Sequence, residues 1–181
     1  MIVVNSKEEL KELINQRIEE QGPNCDLNDI DVSNITDMSF LFRDSAFNGD
    51  ISKWNVSSVK VMSYMFWNSK FNGDISEWNT SRVELMVGMF ENSRFNRDIS
   101  KWDVSNVEDM SYMFYESQFN GDVSNWNVSN VEYAESMFFK SKFTGDISKW
   151  DLSNVEDIES ISEDSPSLSY MWSNMMKGIE K

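Results

Sequence analysis

Five aspartates, Asp50, Asp74, Asp98, Asp122 and Asp146, recur at a 24-residue step. They are the strongest metal candidates in the chain, because calcium prefers carboxylate oxygens. If successive repeats stack like paired strands, neighbouring carboxylates would lie ~5 Å apart and repel by about 0.8 kcal/mol per pair even in water. No second carboxylate recurs beside each one to complete a coordination shell. The amide two residues on can satisfy each Asp as an Asx turn, so these columns read as turn caps and no metal site is assigned. Trp54, Trp78, Trp102, Trp126 and Trp150 keep the same step and could form a stacking platform for sugars or bases. Their place in an apolar pattern with Ile and Val makes them core instead.

The rest of the inventory argues against catalysis. Histidine is absent, which removes the usual general base and the Ser-His and Cys-His nucleophiles. Cys25 stands alone and cannot pair within the chain. No phosphate loop, zinc spacing or nucleophile elbow is present, so no cofactor is expected. A glycosidase working with carboxylates alone would need two acids across a cleft, which a thin repeat array does not offer. The formal net charge of −15 disfavours nucleic acid and anionic membrane surfaces as partners. No apolar run approaches membrane-spanning length, and the N-terminus lacks the apolar core of a signal peptide. The expectation is a soluble, cytoplasmic protein.

These columns belong to a repeat. Phe47, Phe71, Phe95, Phe119 and Phe143 share the step, as do Phe42, Phe66, Phe90, Phe114 and Phe138. Periodicity of this size marks a stacked repeat array. Five units run over 47–166, the last degenerate, and a partial unit over 26–46 precedes them. Residues 1–25 form an N-terminal cap, with a capping box at Ser6 and Glu9 opening a helix to about Glu20 and Ile2 to Val4 as a leading strand. Residues 165–181 form a C-terminal capping helix, with Ser165-Pro166 as its start and Leu168, Met171, Trp172 and Met175 as its apolar stripe.

Within a unit, Ile99, Trp102 and Val104 predict a short strand that pairs in parallel with its neighbours. Ser105 and Glu108 then spell a capping box, as do Ser81 with Glu84, Ser129 with Glu132 and Ser153 with Glu156. Val107, Met110, Met113 and Phe114 follow at helical spacing. The return is a Phe-Asn-Gly-Asp turn, in which Gly49, Gly73, Gly121 and Gly145 tolerate positive φ, although Arg97 replaces glycine once. Strand, capped helix and tight return predict an α/β solenoid with helical caps. Gly88 for tyrosine and Ala134 for methionine are further breaks in the pattern.

The unit F-N-G-D-I-S-x-W-N-V-S-N-V-x-D-M-S-x-M-F resembles the repeat of BspA-like leucine-rich-repeat proteins, and more closely that of Mycoplasma-type and Listeria-type surface lipoproteins. The likeness covers roughly residues 26–160. It implies a leucine-rich-repeat-like right-handed solenoid that serves as an interaction surface, often on bacterial cells, and implies no catalysis.

A binding face should vary while its scaffold repeats. Just beyond the second phenylalanine stand Trp67, Glu91, Tyr115 and Phe139, a row suited to a protein partner if exposed, or to packing between units if not. A second row, Lys53, Glu77, Lys101, Asn125 and Lys149, flanks the expected strands; Lys53, Lys101 and Lys149 could set charge complementarity or simply be solvated. The Asn-x-Ser/Thr triplets at Asn34, Asn55, Asn79 and Asn127 follow from the repeat itself and carry no independent sign of glycosylation. The expected function is a non-enzymatic protein-interaction module whose acidic field selects basic partners. The rival reading is a bacterial surface adhesin or carbohydrate-binding module; a mere spacer between other modules is disfavoured.

Overall fold

A computed structural model of the chain describes residues 1–158 and Ile161. The expected C-terminal capping helix lies outside the described residues.

The N-terminal cap forms as its sequence directs. Strand β1 (Ile2–Val3) leads into helix α1 (Lys7–Gln21), and β1 pairs in parallel with β2 (Ile30–Asp31). Ser6 caps α1: its Oγ accepts from the Glu9 amide at 3.1 Å, while the Glu9 carboxylate accepts from the Asn5 amide at 2.8 Å. Gly22 ends the helix at φ 86°, a value that favours glycine. Leu10 and Ile14 point inward and are fully buried, closing one end of the core. Lys7 and Arg17 tie the helix to the first unit through Asp37 and Asp29, each at 2.6 Å.

From there each 24-residue unit lies beside the next, and the join is main chain. In one unit the amides of Met62, Tyr64, Phe66 and Asn68 donate to the carbonyls of Leu85, Val87, Met89 and Glu91. The same four rungs link the preceding unit to this one and each later pair as far as Met110 to Tyr133 and Glu116 to Phe139, and a single further rung joins Phe138 to Ile161. The amides between them turn back on their own chain: Met65, Trp67 and Ser69 donate to the carbonyls three residues earlier. The segment is a run of tight turns whose alternate amides point to the neighbouring unit.

This arrangement corrects the expected unit in both halves. No helix forms at Val107–Phe114 or its equivalents; among the described residues α1 is the sole α-helix. The Ser105 hydroxyl donates to Asp103 at 2.6 Å, and the Glu108 amide, which a capping box would use, donates to the Glu84 carbonyl of the previous unit. Nor does a strand form at Ile99–Val104. The Trp102 amide closes a turn onto Ile99, and, apart from a bridge between Asp26 and Asp50, the isolated parallel bridges run through Asp37, Val61, Leu85, Asp109 and Tyr133, within the segment expected to be helical.

Turning so tightly requires left-handed residues. Two positions per unit adopt φ near +50 to +60°: Phe40, Tyr64, Gly88, Tyr112 and Ser136 in one column, Asp44, Asn68, Asn92, Glu116 and Lys140 in the other. The glycines of the Phe-Asn-Gly-Asp turn are not among them. Those glycines serve close approach: a Cβ at Gly73 would lie 2.7 Å from the Phe71 ring, and one at Gly49 would strike the Cys25 carbonyl.

Packing then follows the columns. Phe42, Phe66, Phe90, Phe114 and Phe138 stack at 5.4–5.8 Å between ring centroids. Phe47 through Phe143 stack at 6.0–6.4 Å. Both columns and their flanking methionines are buried. Trp54, Trp78, Trp102, Trp126 and Trp150 are also buried, and each indole N–H donates to a carbonyl of the previous unit, as Trp102 does to Ile75 at 3.0 Å.

Because Ser6 caps a helix and Ser105 does not, the two serines should respond differently to truncation. Ser6→Ala is expected to cost about 1 kcal/mol, the usual loss of a helix N-cap. Ser105→Ala, which removes only an exposed hydroxyl–carboxylate contact, should cost less than half of that. Urea unfolding of both variants measures the difference, and equal losses would restore the helical reading.

Candidate functional site

The corners of each unit are closed by short side chains, and this accounts for most of its recurring polar residues. Asp50, Asp74, Asp98, Asp122 and Asp146 accept through Oδ1 from the amide two residues on at 2.9–3.0 Å, as Asx turns. Those backbone hydrogen bonds hold the carboxyls below their usual range. At the next corner Asn55, Asn79 and Asn127 accept from both the amide and the hydroxyl of Ser57, Ser81 and Ser129, so the Asn-x-Ser triplets are turns. Ser69, Ser93 and Ser117 are buried and accept from the amides of Phe71, Phe95 and Phe119. Asn48, Asn72, Asn96 and Asn120 bond unit to unit: each accepts through its side-chain oxygen from the amide 24 residues later.

The lysine row lies on the turn before each tryptophan. Lys53, Lys101 and Lys149 are exposed there, with Glu77 and Asn125. Lys101 meets Glu77 at 3.0 Å with both side chains more than two-thirds exposed, a pair of small energetic weight. Phe66 and Trp78 face each other within the core at 6.5 Å. Among the ion pairs and cation–ring contacts of the described residues, none of the three lysines meets Trp67, Glu91, Tyr115 or Phe139.

Trp67, Glu91, Tyr115 and Phe139 emerge from the ladder segment and are half-buried. Tyr115 and Phe139 stack at 4.9 Å with planes 11° apart. The Arg43 guanidinium lies 4.1 Å from the Trp67 ring centre, and the Lys140 ammonium 4.7 Å from that of Phe139. A second column stands beside this one: Phe40 and Tyr64 stack at 5.1 Å, and Tyr112 meets Tyr115 edge-on at 5.9 Å. This column falls inside the segment expected to be helical. Its signal was the left-handed position itself, where Gly88 interrupts aromatic residues.

Phe40, Arg43, Tyr64, Trp67, Glu91 and Tyr112 line a groove of ≈ 460 Å³. Burial pushes the Glu91 carboxyl above its usual range, with the nearby Glu116 charge adding to the effect, while a hydrogen bond from Trp67 partly counters it. The Tyr112 hydroxyl, hydrogen-bonded to Glu135, is pushed up to about 12. Tyr64 is raised by burial and by the charges of Glu91 and Asp109. The arrangement offers ring faces, one carboxylate and an acidic surround.

A stack of near-identical units joined edge to edge by main chain defines a tandem-repeat protein. The chain matches the family described as "Mycoplasma protein of unknown function, DUF285" over residues 9–117 and 91–175, and it belongs to that family. No curated protein and no solved structure matches it.

The lowered aspartates set a pH dependence. Their folded pKa lies below that of the unfolded chain, about 3.9. The stabilisation is therefore complete above that pH and lost as pH falls through the folded value. Asp122→Asn keeps an Oδ1 acceptor but removes the titration. The stability gap between the native chain and this variant should shrink as pH is lowered from about 6 to about 3, read from denaturant midpoints. A gap independent of pH would show that the turn does not depend on the carboxylate charge.

Proposed function

We propose that the chain is a non-enzymatic protein-interaction module: a leucine-rich-repeat-like solenoid that presents the ladder face, with its two aromatic columns, to a protein partner. The observation that carries this reading is the row of large aromatic side chains on that face, including Phe40, 38% exposed, and the half-buried Tyr64, Trp67, Tyr112, Tyr115 and Phe139. Aromatic residues held on a rigid support give large contact area at low ordering cost. The main-chain ladder beneath them fixes their spacing before any partner arrives. The acidic balance of the chain favours basic partners and raises their rate of encounter.

A surface adhesin is the companion reading, supported by membership of a Mycoplasma repeat family. Display at a bacterial surface and recognition of a protein there are compatible proposals. Carbohydrate binding is the less favoured form of it. A sugar stacks on a free ring face, whereas Phe40 with Tyr64 and Tyr115 with Phe139 turn faces toward each other at 10° and 11° between planes.

The test is affinity capture with the triple change Trp67→Ala, Tyr115→Ala and Phe139→Ala. Loss of a protein captured by the unmodified chain, with the thermal transition retained, is the expected result. Undiminished capture would move the binding surface elsewhere. A glycan array positive for the native chain and negative for the triple variant would favour the carbohydrate form.

A further inference from the structure

The unit spanning 71–94 breaks both aromatic columns at one level. Gly88 stands where Phe40, Tyr64 and Tyr112 place rings, and Glu91 stands where Trp67, Tyr115 and Phe139 do. The two breaks are linked physically. Gly88 adopts φ 55°, and a Cβ there would lie 2.4 Å from the Tyr64 ring. Without a side chain at 88, the Tyr64 ring and the Glu91 carboxylate both close onto the Gly88 backbone, where a Cβ would lie 2.9 Å from Glu91 Oε2. The result is the ≈ 460 Å³ groove, walled by Tyr64, Trp67 and Tyr112 with the Glu91 carboxylate among them.

The charges on this face have a pattern. Arg43 covers Trp67 toward one end and also bonds the Asp44 carboxylate at 3.2 Å; Lys140 covers Phe139 toward the other. Glu91 lies between them. Its side chain accepts from Trp67, and no Lys, Arg or N-terminal amine among the described residues lies within ion-pair distance of it. Asp109, Glu116 and Glu135 add negative field around the same rings. A half-buried carboxylate set among aromatic rings in an acidic surround favours a cation, because the carboxylate attracts positive charge and partial desolvation strengthens the attraction.

We propose that the groove at Gly88 and Glu91 receives a cationic side chain, arginine or lysine, from an extended basic segment of a protein partner, with the charged head against Glu91 and its stem between Tyr64 and Tyr112. This rests on the interaction reading above and gives it a specific contact. Arg43, which lies over Trp67 and bonds Asp44, closes one end of the groove.

The experiment is titration of the full chain with a synthetic peptide of arginines spaced by Gly-Ser, followed by calorimetry, and with the same peptide carrying glutamine for arginine. The arginine peptide should bind and the glutamine peptide should not. Glu91→Gln, which preserves shape, should weaken the arginine peptide about tenfold, as loss of one partner in a close charge pair does. Glu77→Gln, which removes the same charge from an exposed distant site, should change it less than about twofold. Equal weakening by both variants would reduce the binding to net charge alone and overturn the site, as would equal affinity for the two peptides. Glu91→Gln should leave the thermal transition unchanged or higher, because Glu91 is held against its own ionisation; a variant that unfolds would contradict this placement of the carboxylate. If Glu91→Gln changes neither peptide nor captured partner while the aromatic triple variant loses the partner, the interaction reading stands and the cation site falls.

Discussion

The structure depends on one constraint: each unit must satisfy the main-chain groups of its neighbours. Met62, Tyr64, Phe66 and Asn68 give their amides to the next unit, and Val61, Ser63, Met65 and Trp67 receive amides from the previous one. A single such unit would leave these groups unpaired, and an unpaired buried amide or carbonyl costs about 1–3 kcal/mol. The array is therefore stable only as a stack, and its ends need closure. Helix α1 supplies one closure, placing Leu10 and Ile14 against the first unit.

The same ladder sets the side-chain geometry. The register fixes every residue opposite the one 24 positions on, so identical residues meet identical residues. Phenylalanines then stack at about 5.4–6.4 Å and asparagines bond amide to oxygen along their column. Like charges would meet too, and the aspartates escape this by each binding a local amide. The tight turns place two left-handed residues in each unit, four positions apart, and apart from Gly88 and Ser136 these residues are at least partly exposed. The candidate site is thus a by-product of the backbone solution: the column that must adopt positive φ is the column that displays Tyr64, Gly88 and Tyr112.

How much of this is legible in the sequence varies with the kind of signal. Trp102, Phe114, Phe119 and Asp122 were readable as core and turn, because a fixed step and residue type suffice to place them. The N-terminal cap was readable because Ser6 and Glu9 act within one helix. The interior of the unit was not. Met110, Met113 and Phe114 have helical spacing, yet a run of tight turns also brings residues i, i+3 and i+4 to one side. Spacing alone cannot distinguish them when the amide partner lies 23 residues away. Residues unfavourable to a helix were present, in Gly88, Asn68 and Asn92, and they mark the left-handed positions. Read against helical spacing they carry no weight, and the ladder, the second aromatic column and the groove around Glu91 stay hidden.

The most direct test is to observe the ladder's hydrogen bonds themselves through nitrogen–carbonyl couplings in an isotopically labelled sample. The account predicts coupling from the Phe114 amide nitrogen to the Met137 carbonyl, and from Phe90 to Met113, each across one unit. Coupling from Phe114 to the Met110 carbonyl, the bond an α-helix would make, would contradict it.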